Sequence, residues 1–337
     1  MSDIFTYHKQ NMELFWRCMA ERHSIYKQKS ILDNPEPWTE DPIYKSFKFT
    51  NICRELDVGT KFVTHTIDKY VKDSKQYLFN VMVYRLFNKI ETVDYILKHY
   101  PHALSYDSYN SGIVEKLVRE YSKESGESVW TNAFIVTGFS NLPKKWDKIT
   151  RVCHALQVLS NNIIKDYTSL TTMEEAYEWV KKQLGFGTFL AYQVAVDLSY
   201  GDWFPFSEDG FVVCGPGCKR GLDRLFPEKV VKEYSYESLN FWLRDQQYEF
   251  YKEYDIDFEA LFDDREYPYL TVMSIENLLC EFSKYMKVYN KEGRPRNKYI
   301  QEHGSISNKC TKQLSITSAY NVYQKINMNQ TVWSTSI

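Results

Sequence analysis

Apolar residues recur at helical spacing along nearly the whole chain, and this pattern decides what the chain can fold into. Residues 9–30 place Met12, Phe15, Trp16 and Met19 on one stripe, the i, i+3, i+4, i+7 spacing of a packed helix. The same period runs through residues 76–98, 148–166, 172–183, 236–254 and 274–288. Thr171 or Thr172, followed by glutamates, gives a capping signal for the segment at 172, and Ser274 is the N-cap expected for the last one. Asp33-Asn34-Pro35-Glu36-Pro37 ends the first helix, because each proline biases the residue before it out of the helical region. Two-residue hairpin signals are missing, β-branched alternation is short and local, and no repeat of solenoid period occurs. The chain reads as mainly α.

Its 337 residues suffice for one large or two ordinary domains. Soft boundaries at 33–42 and 290–310 suggest an N-terminal helix and linker (1–40), a helical domain (41–290) and a basic, polar C-terminal arm (291–337). With 42 Lys and Arg against 44 Asp and Glu, the formal charge is −2. That balance argues against a wholly basic nucleic-acid coat protein and leaves room for a basic groove on an acidic body. The 27 tyrosines, 20 phenylalanines and eight tryptophans fill a core, and such rings also stack on bases. Seven scattered cysteines fit a reducing compartment rather than a disulfide framework. Cys214 and Cys218 are the only close pair, with no second pair at zinc spacing, so neither a metal nor a cofactor is expected. The opening MSDIFTYHKQ lacks a secretory pattern and no apolar run approaches a membrane span, so the expectation is a soluble, cytoplasmic protein with no membrane partner.

Residues 184–226 carry the densest chemistry. Gly185-Phe186-Gly187 forms a two-glycine turn that feeds an apolar helix from Thr188 to Tyr200. Glycines allow close backbone approach, and a helix start presents free N–H groups, a combination suited to a DNA phosphate. Gly185, Gly187 and Thr188 are therefore candidate DNA contacts. After the aromatic loop Trp203-Phe204-Pro205-Phe206 come Ser207-Glu208-Asp209, then Gly215-Pro216-Gly217 and the basic helix start Lys219-Arg220. Gly215, Gly217, Lys219 and Arg220 make a second set of candidate DNA contacts.

A glycine hairpin, an apolar helix and then an aspartate on a loop before another helix resembles the order in helix-hairpin-helix DNA glycosylases. The resemblance implies a helical bundle of that type. It gives Ala191 the place of the small residue after the hairpin and Asp209 that of the essential aspartate. Glu208 is the alternative, because neighbouring carboxylates cannot be ranked from sequence. Gly210-Phe211-Val212 stands where those enzymes carry a short His-containing signature. Phe189 occupies the position of the lysine in lyase-competent members, so Schiff-base β-lyase chemistry is not implied.

A closer resemblance rests on five ordered blocks between residues 45 and 290. These are Phe49-Thr50-Asn51 with Arg54 and Asp57; Arg85 to Thr92; Phe189-Leu190-Ala191-Tyr192-Gln193; Glu208 to Val212 running into Gly215-Pro216-Gly217; and Asn277 to Phe282 with Lys284-Tyr285. They are similar to the helical domain of 5-hydroxymethyluracil DNA kinases, shared with the α-glutamyl/putrescinyl-thymine pyrophosphorylases. Cys53 replaces an expected aromatic, and Asp57-Val58 lacks the usual neighbouring basic residue. No G-x-x-x-x-G-K-[ST] phosphate loop occurs, so the kinase half is absent from these residues.

What the family implies is double-stranded DNA whose pyrimidine is built on a 5-hydroxymethyl group, as in certain bacteriophages, and a place on DNA in the cytoplasm. Some relatives resemble anti-phage glycosylases of hypermodified bases. Base chemistry in a duplex requires flipping the nucleotide, and Asn51, Arg54, Asn88, Tyr192 and Gln193 are the residues that would hold it, with Arg85 a further cation. The first reading is a monofunctional glycosylase that cleaves the N-glycosidic bond. The second is a transferase that replaces pyrophosphate by an amine on hydroxymethyluracil and so depends on a separate DNA kinase. The third is a non-catalytic DNA-binding module partnering such a kinase. Each residue also has a plainer role: Asp209 as a helix cap, the arginines in buried ion pairs, Asn51 and Asn88 on backbone groups, Tyr192 in the core, and Glu281 with Lys284 as an i, i+3 pair.

Overall fold

The computed structural model describes residues 6–131, 139–264 and 269–295. Among them are fourteen α-helices and no β-strand, so the chain is mainly α. The helices are α1 (Lys9–Tyr26), α2 (Pro42–Ser46), α3 (Val58–Lys61), α4 (Ser74–Phe87), α5 (Ile90–His99), α6 (Ser111–Ser125) and α7 (Lys148–Asp166). They continue with α8 (Met173–Lys181), α9 (Thr188–Ser199), α10 (Pro216–Leu225), α11 (Glu228–Glu233), α12 (Tyr236–Glu253), α13 (Phe258–Leu261) and α14 (Val272–Tyr289). They form two compact units. One comprises residues 58–208, and the other is built from the described parts of 1–57 and 209–337.

In the second, split unit, the stripe on α1 is buried: Met12, Phe15, Trp16 and Met19 have no exposed surface. Trp16 stacks on Phe250 at 5.7 Å and meets the edge of Tyr251 at 5.2 Å, while Phe15 meets Phe282 of α14 edge-on at 5.4 Å. Five residues of π-helix, Lys27–Ile31, carry the coil past α1 before the Pro35–Pro37 stop. Helix α14 is buried continuously from Val272 to Leu279. Its N-cap is Thr271, whose hydroxyl accepts from the Ser274 N–H; this corrects the expected Ser274 cap. Thr271 is in extended backbone, where its oxygen can face the N–H groups of the first turn, whereas Ser274 already lies within that turn.

Helices α10 and α14 approach unusually closely. A Cβ on Gly221 would lie 2.5 Å from the Leu279 carbonyl oxygen, and one on Gly217 would lie 2.7 Å from Cys280 Sγ. Glycines four residues apart clear one face of α10, which lets α14 settle against its backbone. Gly217, a candidate DNA contact in the sequence, faces α14.

In the unit of residues 58–208, α4 and α9 are central. Every residue from Gln76 to Phe87 and from Leu190 to Ser199 is buried. Helix α8 opens with the capping box the sequence signals, Thr172 accepting from the Glu175 N–H and Glu175 accepting from the Thr172 N–H. Gly185, at φ +91°, turns the chain between α8 and α9, and a Cβ there would sit 2.7 Å from the Phe139 ring. Only glycine meets both demands. Asn88 adopts φ +49° and ends α4, dividing the periodic run at 76–98 into α4 and α5. Helix α6 has too thin an apolar stripe, Val114, Val118 and Tyr121, to stand out in the sequence; it is set by its ends, Asn110 as N-cap and Gly126 at φ +69°.

The close approach yields a ranked prediction. Gly221→Ala should cost ~1–3 kcal/mol in urea unfolding. Gly217→Ala should cost less, because the Cys280 side chain can turn aside and the Leu279 carbonyl cannot.

Candidate functional site

Helix α14 presents its polar side chains to the backbone of two neighbouring segments. Asn277 Nδ2 donates to the carbonyls of Asn51 (2.7 Å) and Ile52 (3.3 Å), and the Thr50 N–H donates to Glu281 Oε2 (3.1 Å). The buried Arg22 guanidinium closes the other side of this segment, donating to the carbonyls of Phe49 (3.3 Å) and Thr50 (3.0 Å). Lys284 bonds Glu281 at 2.6 Å, the i, i+3 pair visible in the sequence.

The loop from Asp209 to Gly215 is strapped to the same helix at both ends. Asp209 Oδ1 accepts from the Val272 N–H (2.7 Å), the first residue of α14, and Arg244 Nη1 donates to Asp209 Oδ2 (2.5 Å). Burial holds the Asp209 carboxyl above its usual range, opposed by the Arg244 charge and the Val272 bond. Its side chain is still 16% exposed. At the other end, Glu276 receives a backbone hydrogen bond from Gly215 and a weaker one from the Cys280 thiol (3.6 Å). Burial pushes the Glu276 carboxyl up to about 7, with Arg54 drawing it back.

The remaining candidates have definite places. Asn51 Nδ2 donates to the Leu56 carbonyl (3.2 Å), and Arg54 is buried with Nε 3.9 Å from Asp57. Gly215 is the N-cap of α10. Lys219 and Arg220 are exposed on α10, Lys219 lying over the Tyr236 ring at 5.2 Å.

In the unit of residues 58–208, Arg85 is consumed by a buried two-pronged pair with Asp197 of α9, Nη2 to Oδ1 at 2.6 Å and Nε to Oδ2. The sequence offered Arg85 as a cation for substrate; the structure corrects this, because its third nitrogen is also taken, by Asn88 Oδ1 (3.1 Å). Asn88 donates in turn to Thr131 Oγ1 (3.1 Å). Tyr192 and Gln193 are buried within α9, and Gln193 Oε1 has no hydrogen-bond partner among the described residues. Glu208 is buried and accepts from the Tyr200 hydroxyl. At the hairpin, Gly185 is buried, whereas Gly187 and Thr188 are exposed at an α9 start that no side chain caps.

Sequence reasoning passed over Glu276, Arg244 and Asp197. Asp197 had a signal, as the lone acid in an apolar helix, and so did Glu276, an acid among Ile275, Leu278 and Leu279. Arg244 had none, because its partner lies 35 residues away. Among the described residues no group of three or more His, Cys, Asp or Glu is placed to hold a metal ion, and no helix is long and apolar enough to cross a membrane.

Fold and site thus define an all-α protein in which polar groups gather along one buried helix. Residues 9–294 match the family described as 5-hmdU DNA kinase, helical domain, and the chain belongs to that family. It is similar to the 5-hmdU DNA kinase of Bacillus phage SP10, with 27% identity over 310 residues, 83% of this chain and 45% of that protein. The chain therefore spans less than half the length of that relative. No solved structure matches.

Glu276 predicts a pH signature. Its folded value, about 7 against an ordinary 4.5, means that the folded state keeps a proton the unfolded chain has lost. Stability contributed at low pH is therefore lost as pH rises from 4.5 toward 7. In urea unfolding, the wild type should lose roughly 3 kcal/mol relative to Glu276→Gln between acid and neutral pH. Parallel profiles for the two proteins would refute the assignment.

Proposed function

We propose that the chain acts on DNA carrying a pyrimidine built on 5-hydroxymethyluracil and hydrolyses the N-glycosidic bond of that nucleotide. Membership in a family named for 5-hmdU DNA kinase supports the substrate class. The observation that carries the chemistry is Asp209, a carboxylate fixed by Arg244 and the α14 N-terminus yet accessible on the loop that follows the helix hairpin. Breaking the bond between the sugar C1′ and the base leaves positive charge on the sugar. A carboxylate held in place stabilises that charge without having to reorganise. Its raised proton affinity also suits it to accept a proton from the water that attacks C1′. In this reading Glu276 positions the Gly215 end of the loop.

Each unit offers its own candidate contacts to the phosphates: the exposed Gly187 and Thr188 at the start of α9 in residues 58–208, and the cations Lys219 and Arg220 on α10 in the split unit. For contacts to the base, the split unit offers Asn51 and Arg54, and residues 58–208 offer Asn88, Tyr192 and Gln193. Of these, Gln193 Oε1 has no hydrogen-bond partner among the described residues.

A second reading is favoured by the relative's name and extent: a helical module that recognises base-modified DNA and presents it to a kinase. The two readings part in one assay. Incubation with 5-hydroxymethyluracil-derived DNA should release a modified base, detected by mass spectrometry, and leave abasic sites, while thymine DNA yields neither. Asp209→Asn should lower release by about 10²- to 10⁴-fold with binding retained. Binding without release by the wild type would select the recognition module; with an amine added and DNA carrying 5-pyrophosphoryloxymethyluracil as substrate, an amine-bearing base with release of pyrophosphate and no abasic sites would select transfer at the 5-methylene carbon.

A further inference from the structure

The split unit carries an open groove of about 720 Å³, lined by Ser46 and Phe47 at the end of α2 and by Val288, Lys291, Gly293 and Arg294 at and beyond the end of α14. Its lining combines an aromatic ring, an aliphatic side chain and two cations. Lys291 and Arg294 are exposed. The Lys287 stem lies against the same groove, since a Cβ on Gly293 would fall 2.7 Å from Lys287 Cε. Between Lys284 and Lys298 the sequence holds six Lys or Arg and a single acid, in a chain whose net charge is −2. That acid, Glu292, is engaged by Arg224 and Asn290. Helix-dipole compensation accounts for Lys287 in the last turn of α14, but Lys291 and Arg294 lie past the helix end.

We propose that this groove is a docking site for a nucleic-acid strand, with Lys291 and Arg294 on consecutive phosphates and Phe47 beneath the sugar or base. The inference rests on the reading that the chain acts on DNA and adds a contact surface to it. Cations along a groove whose lining includes a ring are the combination that tracks a phosphodiester backbone without reading its sequence. An acidic peptide would not need the ring, and a lipid surface would need apolar side chains projecting outward rather than lining a concavity.

The test is binding of fluorescently labelled DNA to the full chain across a salt series. Lys291→Gln/Arg294→Gln should weaken binding about tenfold at moderate salt and reduce the slope of log affinity against log salt by about 1.8, the loss of two phosphate contacts. Lys123→Gln/Lys229→Gln removes equal charge from exposed sites elsewhere and should leave both quantities near the wild-type values. Equal slopes for the groove variant and the wild type would overturn the groove while leaving the DNA-acting reading intact. An equal drop in both double variants would also overturn it, by reducing the effect to net charge. Failure of the wild type to bind DNA at all would overturn both readings together.

Discussion

A helix buried on nearly every side has nowhere to send a polar side chain except into the backbone of its neighbours. Helix α14 meets this constraint with Glu276, Asn277 and Glu281, and it does so by fixing two loops. Asn277 and Glu281 fasten residues 50–52, and Glu276 fastens the Gly215 end of the loop that begins at Asp209. The price of burying three such groups is met only if each is bonded, because an unpaired buried polar group costs on the order of 1–3 kcal/mol. The loops are thus held because the helix needs them, and the core and the candidate site are one construction. The glycines of α10 serve the same end, since they bring a second helix close enough to complete the cover over α14.

Residues 58–208 meet the same constraint differently. Helices α4 and α9 are both buried, and each contributes one charged residue, Arg85 and Asp197, that cancels the other through two parallel hydrogen bonds. Removing one partner of such a pair typically costs ~3–5 kcal/mol, because the survivor is left charged in a low-dielectric interior. Arg85 also reaches Asn88, whose left-handed backbone ends α4. Part of what resembles a substrate-binding block in the sequence is therefore the internal fastening of this unit.

Asp209 differs from the buried acids Asp197, Glu208, Glu276 and Glu281. Its two oxygens are held by unlike groups, a guanidinium and the first N–H of α14, and its side chain keeps some contact with solvent. A fully internal strut has no need of that exposure. Glu276, one helical turn farther along α14, is almost wholly enclosed and accepts from the Gly215 backbone. The family match over residues 9–294 covers nearly all of the described chain, so it takes in both units and every candidate residue named above.

The sequence by itself determined the longer helices, the cap at Thr172 and the buried stripe of α1. These depend on spacing within a few residues: Met12, Phe15, Trp16 and Met19 on one stripe, Thr172 with Glu175, and the glycines at 185 and 187. It also carried the family, through blocks of residues in a fixed order. Tertiary structure alone decided which polar groups meet. Nothing local joins Arg244 to Asp209, Asp197 to Arg85, or Glu276 to Gly215, and these pairings separate fastened residues from accessible ones. The reason is that a hydrogen bond or ion pair between residues distant in the chain is set by how helices pack, and packing depends on the shape of whole faces rather than on any short stretch of sequence.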